Sequence, residues 1–168
     1  RGGHAGLFHV RRMLRRVGTF GFHLATLDVR QNAGVHREVI GRALEDAQWA
    51  ERSAEERRLR LGLALERDES PSAPLDAAAK RSLWVFEAMG HCSHRYGKPA
   101  IGSYVVSMAR DVDDVLSVLL LAQWAGLADG PEGVVARDVA PLFESVDTLE
   151  HAGDIIRRLL DDPVYRAH

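Results

Sequence analysis

Leu7, Val10, Leu14 and Val17 recur at spacings of three and four, which places them on one helical face with Arg11, Arg12, Arg15 and Arg16 around it. Gly18 is read as the end of that helix. From Phe20 to Val29 the period changes. Phe20, Phe22, Leu24, Leu27 and Val29 form a short apolar run that suits a buried strand, ending where Asp28, Arg30 and Gln31 turn polar. Gly34 to Tyr96 reads as helical throughout. Val35, Val39, Ile40 and Leu44 mark one helix, and Ser53 with Glu56 opens a second through a capping box. After the Ser70–Pro74 loop, Leu75, Ala79, Leu83, Phe86 and Met89 stripe a third, with Trp84 beside the stripe. Ile101, Tyr104, Val105, Val106 and Met108 mark a second strand within Pro99–Ala109. Asp111 caps a helix that runs through Val115, Leu116, Leu119 and Leu120 to Gly126. Val134–Phe143 is a third strand, strongest over Val139–Phe143, although Pro141 suits a central strand poorly. Asp147 with Glu150 caps a last helix, striped by Leu149, Ala152, Ile156 and Leu159 and ended by Pro163.

Strands that alternate with helices predict a parallel sheet with helical crossovers, in a helix-dominated α/β chain. Composition then narrows the class. Of 168 residues 46% are hydrophobic and 27% charged, enough for a core and a soluble surface and too apolar for general disorder. With 22 Lys plus Arg against 24 Asp plus Glu the net charge is −2, which argues against a dedicated nucleic-acid binder. The run Val115–Ala122 is too short to span a bilayer, and no signal-peptide pattern is expected at the start. The single cysteine, Cys92, cannot form an internal disulfide and suits a reducing compartment. The chain opens on Arg1-Gly2-Gly3 without a methionine and stops soon after Asp162-Pro163, so an excised segment is one expectation.

In parallel α/β barrels the chemistry sits at the C-terminal ends of the strands. The residues there are Asp28, Arg30 and Gln31, then Ser107 and Arg110, then Glu144 and Ser145. Arginine grips phosphate or carboxylate with a planar fork of donors. One glutamate can hold Mg²⁺ or Mn²⁺ with help from a further carboxylate. Together they point to an anionic, metal-chelated substrate. The plainer reading, that Arg30 and Glu144 are surface residues or a salt bridge, stays open. Other groups read as structural: His91, Cys92 and His94 as a polar helix end, and Asp113-Asp114 as acids in a first helical turn. The four arginines near the start and the charges of Glu51–Arg60 read as solvated faces, Trp49, Trp84 and Trp124 as packing between helices, and His23 as a core histidine.

Four blocks, in order, resemble the phosphoenolpyruvate carboxylase family. Phe20-Gly21-Phe22-His23-Leu24, then Leu27-Asp28-Val29-Arg30-Gln31 and His36, resemble its F-G-x-x-L … L-D-I/V-R-Q-x-x-x-x-H. Tyr104-Val105-Val106-Ser107-Met108-Ala109 with Asp114-Val115-Leu116-Ser117-Val118 resembles Y-V-I-S-M-A … S-D-V-L-A-V. Val139-Ala140-Pro141-Leu142-Phe143-Glu144-Ser145 resembles V-x-P-L-F-E-T, and Val164-Tyr165-Arg166 resembles W-Y-R. The resemblance implies that residues 1–168 are a single segment of a (β/α)₈ TIM-type barrel domain, with about three parallel strands and long crossover helices. It implies a cytoplasmic enzyme, homotetrameric at full length, that joins phosphoenolpyruvate and bicarbonate into oxaloacetate and phosphate with Mg²⁺ or Mn²⁺. Residue by residue, Arg30 becomes the catalytic, substrate-binding arginine, Gln31 a second substrate-binding residue, and Glu144 a metal ligand.

Departures accompany the matches. The family's Glu-Ser after Arg-Gln is Asn32-Ala33 here, and its Ser-Asp-Val-Leu is Asp113-Asp114-Val115-Leu116. The sequence contains no T-A-H-P-T block, no G-Y-S-D-S block and no G-R-G-G loop, so the expectation is an interior slice, inactive alone and prone to associate through open sheet edges. Two alternatives stand beside this: a non-catalytic helical module derived from the barrel, and another metal-dependent, phosphate-handling barrel enzyme.

Overall fold

The computed structural model describes residues 6–129, 134–135 and 138–167. Its elements run α1 (Leu7–Phe20), β1 (Leu27–Asn32), α2 (Ala33–Ala43), α3 (Ala54–Glu66), α4 (Ala77–Tyr96) and a 3₁₀ turn at Lys98–Ala100. They continue with β2 (Ile101–Ser107), α5 (Val112–Trp124), β3 (Ala128–Asp129), β4 (Val134–Val135), β5 (Val139–Pro141), α6 (Val146–Asp161) and α7 (Pro163–Ala167). β1, β2 and β5 form a parallel sheet with β2 in the centre, and β3 pairs with β4 antiparallel as a separate ribbon. The parallel, helix-dominated α/β arrangement is the one the alternation of patterns predicts.

Helices cover one face of this sheet. Val29, Tyr104 and Val139 align across the strands on the covered side, and Arg30, Val105 and Ala140 align on the other. Tyr104 stacks on Phe86 of α4 with ring centroids 4.8 Å apart. The core centres on α5, which is buried at every position from Val112 to Ala122 and packs against α2, α3, α4 and α6. Apart from Asp113, Asp114 and Ser117 these positions are apolar, and a helix apolar nearly all round belongs in the interior.

Several boundaries differ from the sequence reading. The first strand lies not over Phe20–Val29 but over Leu27–Asn32, the segment read as its polar end. α1 runs past Gly18 to Phe20, and Gly21, at φ +55°, closes it by donating its N–H to the Val17 carbonyl. Phe22 and Leu24 are left exposed in the turn that follows, and His23 sits in that turn rather than in a strand. Pairing begins where β2 offers a partner, at Leu27 opposite Ile101. Polar residues are tolerated beyond that point because the sheet has an uncovered face. α1 itself buries no residue, so the stripe of Val10 and Leu14 faces outward.

Pro141 fits because β5 is at the edge of the sheet. The next residue, Leu142, donates to the Val106 carbonyl, so strand alternation turns the imino nitrogen of Pro141 away from β2. Val134–Val135 belongs to the small ribbon, and residues 136–137 of the third predicted strand lie outside the described residues. α6 starts at a Ser145–Thr148 capping box, not at Asp147 with Glu150. Its buried residues are Thr148, Ile155 and Leu159, which leaves Leu149 and Leu160 exposed. Pro163 starts α7 as well as ending α6. Trp49 is buried and Trp124 donates to the Glu69 carbonyl, whereas Trp84 is exposed. Among the described residues no helix is long and apolar enough to cross a membrane.

Candidate functional site

The three parallel strands all run the same way, so their last residues and the loops after them share one edge. Arg30 lies near the end of β1 on the uncovered face, and Glu144 lies in the loop after β5. Their side chains meet: Arg30 Nη2 donates to Glu144 Oε1 at 2.5 Å. The other carboxylate oxygen, Oε2, accepts the backbone N–H of Met108 at 2.9 Å. Met108 directly follows β2 and has φ +55°, a left-handed conformation uncommon for a residue with a side chain. The loops after β2 and β5 are thereby tied together at the carboxylate. The arginine is 56% exposed and the glutamate 28%, so the pair sits at an accessible mouth.

Gln31 takes a different place. It pairs in register with buried Val106, on the side the helices cover, and its Oε1 accepts the backbone N–H of Asn32. Among the described residues it is not seen bonded to Arg30 or Glu144, which bond each other. Asn32, which stands where the resemblance would have glutamate, caps α2 by accepting the N–H of Gly34. Asp28 is not at the strand ends. It faces a register shift between β1 and β2, where its Oδ1 accepts the N–H of Ser103. A Cβ on Gly102 would lie 2.2 Å from that oxygen, so glycine is what allows Asp28 to close over the bulge. Ser107 donates to the Gln31 carbonyl, and Ser145 caps α6. Arg110 contributes its backbone N–H to Asp114.

Beneath the mouth lies a charged layer that the sequence reading treats as a helix cap. Asp113 and Asp114 are fully buried. Arg57 of α3 donates to Asp113 at 2.6 Å, and Arg37 of α2 donates to Asp114 at 2.7 Å. Burial and the neighbouring Asp114 push the Asp113 carboxyl up to about 6, against the pull of Arg57 and Arg37. The same layer holds the Arg110 backbone and so the loop that carries Met108. The charges of α3 therefore reach across elements, and Arg58 likewise bonds buried Asp162. Beside this layer, His36 of α2 is fully buried with Nε2 2.9 Å from the Tyr104 hydroxyl. Burial, with help from Arg37, lowers the His36 pKa to about 4, so the ring is neutral. Burial also raises the Tyr104 phenol. Both residues stand in the quoted blocks, but only the fold shows that they touch.

A divalent metal can be tested against these donors. Glu144 is a hard oxygen ligand, anchored on one side by a backbone amide and bonded on the other to exposed Arg30, and with that arginine displaced it fits as one ligand of Mg²⁺ or Mn²⁺, which take one or two carboxylates plus water and substrate oxygens. No group of three or more His, Cys, Asp or Glu among the described residues could complete a cage. His91 and His94 are exposed on α4 and join no such group.

Comparison with known proteins matches the sequence to a family. The model of the family described as phosphoenolpyruvate carboxylase matches residues 5–168. A phosphoenolpyruvate carboxylase of Xanthomonas campestris pv. campestris is 44% identical over 168 residues, all of this chain and 18% of the relative. That of Mycobacterium avium is 38% identical over 165 residues, 90% of this chain and 17% of the relative, and that of an Azoarcus species is 35% identical over 166. The chain thus spans under a fifth of the length of these relatives. With its family model matched from residue 5 to the last, the chain belongs to the phosphoenolpyruvate carboxylase family.

Proposed function

We propose that residues 1–168 are one segment of a phosphoenolpyruvate carboxylase and supply part of its barrel and part of its active site. The observation that carries the reading is the meeting of Arg30 and Glu144 at the C-terminal edge of parallel strands, in a chain matched along its length to that family. The helices cover one face of the sheet only, and Arg30 lies on the other. In a (β/α)₈ barrel, helices surround the outside and the mouth is built from strand ends, so this one-sided cover supports a barrel. A cytoplasmic homotetramer belongs to the same proposal and rests on the resemblance alone.

In the proposed reaction a bicarbonate oxygen attacks the phosphorus of phosphoenolpyruvate. The bond from phosphorus to the enol oxygen breaks, and the electron pair stays on the enolate. Carboxyphosphate then releases CO₂ and phosphate, and the enolate carbon bonds CO₂ to give oxaloacetate. Arg30 grips the phosphate or carboxylate of the substrate with paired N–H donors and stabilises charge as it shifts to the enolate. Glu144 is the ligand this segment offers to Mg²⁺ or Mn²⁺, which when bound polarises the substrate oxygens. Met108 holds that carboxylate in place, and Gln31 supports the strand end beside Arg30. The segment alone does not turn over, since one metal ligand and one anion grip are an incomplete site.

The test is bicarbonate-dependent phosphate release by the full-length protein. Arg30→Gln is expected to lower kcat/KM for phosphoenolpyruvate by about 100-fold or more. Wild-type turnover in that variant, or wild-type phosphate release that ignores bicarbonate, would rule the reading out.

A further inference from the structure

We propose that the Arg30–Glu144 ion pair is an exchange latch that couples metal loading to substrate loading. This rests on the reading of Glu144 as metal ligand and Arg30 as anion grip. In the closed pair, Glu144 Oε1 is taken by the guanidinium and Oε2 by the Met108 N–H. A dication that approaches Oε1 meets a cation already bonded there, so it must displace Arg30. A substrate anion that grips Arg30 through the fork that includes Nη2 finds that donor turned to Glu144, so it must displace the carboxylate.

The two halves are not equally free. Glu144 is the less exposed, and its anchor is the backbone of a loop that follows buried Ser107 of β2, contains buried Ala109 and is tied to buried Asp114. Arg30 is over half exposed, and among the described residues its side chain is held by Glu144. Arg30 is therefore the half that moves. The first ligand to bind, metal or anion, bears the cost of opening the pair, and the second does not. Each tightens the other even without direct contact, and the two enhancements are equal by linkage.

The experiment uses the full-length protein that carries this segment, stripped of metal. Mn²⁺ binding is followed by loss of the free-ion electron paramagnetic resonance signal, and anion binding by calorimetry with 2-phosphoglycolate. Arg30→Gln is expected to tighten Mn²⁺ in the absence of anion by about fivefold or more. Glu144→Gln is expected to tighten metal-free phosphoglycolate by a similar factor. Arg110→Gln, which removes a nearby exposed charge and leaves the pair intact, is expected to change Mn²⁺ affinity by less than about twofold. Unchanged or weaker binding in the first two variants overturns the latch. Tightening by Arg110→Gln equal to that of Arg30→Gln also overturns it, because the effect is then general field. Failure of the underlying reading looks different: Glu144→Gln would bind Mn²⁺ as wild type does, or Arg30→Gln would bind phosphoglycolate as wild type does with metal present.

Discussion

The buried charges under the mouth predict an unusually flat response to mild acid. His36 has its pKa lowered from 6.5 to about 4 in the fold, so between those values the unfolded segment binds the extra proton. Its contribution is fully present above pH 6.5 and is lost as pH falls toward 4. Asp113 is shifted the other way, from 3.8 to about 6, so between those values the folded segment binds the extra proton and gains stability as pH falls. From pH 7 to pH 5 linkage gives a loss of about 2 kcal/mol from His36 and a return of about 1 kcal/mol from Asp113. The net change is below about 1 kcal/mol. Asp46 and Glu69 are held lower by their hydrogen bonds from Arg52 and Arg60, so they do not oppose this balance. The assay is hydrogen exchange by mass spectrometry on peptides from α2, β2 and α5 in the full-length protein, corrected for intrinsic exchange. Asp113→Asn removes the compensating proton and is expected to uncover the loss of about 2 kcal/mol between pH 7 and pH 5. His36→Gln is expected to leave the gain alone. Equal pH slopes in wild type and both variants would refute the argument, because neither group would then be titrating across the fold.

Other consequences follow from single contacts. Gly102→Ala is expected to cost about 1–3 kcal/mol, since the new methyl displaces Asp28 from Ser103, and exchange at the β1–β2 amides would report it. Ser53→Ala removes the hydroxyl half of the α3 capping box, leaving the residue-53 backbone N–H on Glu56, and is expected to cost about 1 kcal/mol, read from earlier opening of α3 amides. Tyr104→Phe keeps the stack on Phe86 but leaves His36 Nε2 without its partner. A loss of about 1–3 kcal/mol in β2 protection is expected, and an unchanged profile would mean that the hydrogen bond adds nothing net.

The apolar spacing of α2, α4 and α5, the Ser53 and Asp111 caps and the β2 run were readable directly, because each depends on neighbours within about four residues. The motif blocks carried Arg30 and Glu144 to the correct strand ends before any fold was in view. What local pattern could not supply was the pairing. β1 was misplaced because a strand with one open face need not be apolar, and its position depends on Ile101–Ser107, some seventy residues later. The α6 stripe slipped because its buried side is chosen by α5, not by its own composition. Asp113 and Asp114 read as cap residues because an arginine partner on another helix leaves no trace in the spacing. The backbone amide of Met108 on Glu144 is wholly a product of the tertiary structure, since every residue has that group and only the fold aims it. Sequence alone thus determined the family resemblance, most of the helices and the charged groups proposed to carry chemistry. The tertiary structure decided which of those groups touch, because contact between strand ends is set by packing over long separations in the chain and not by order along it.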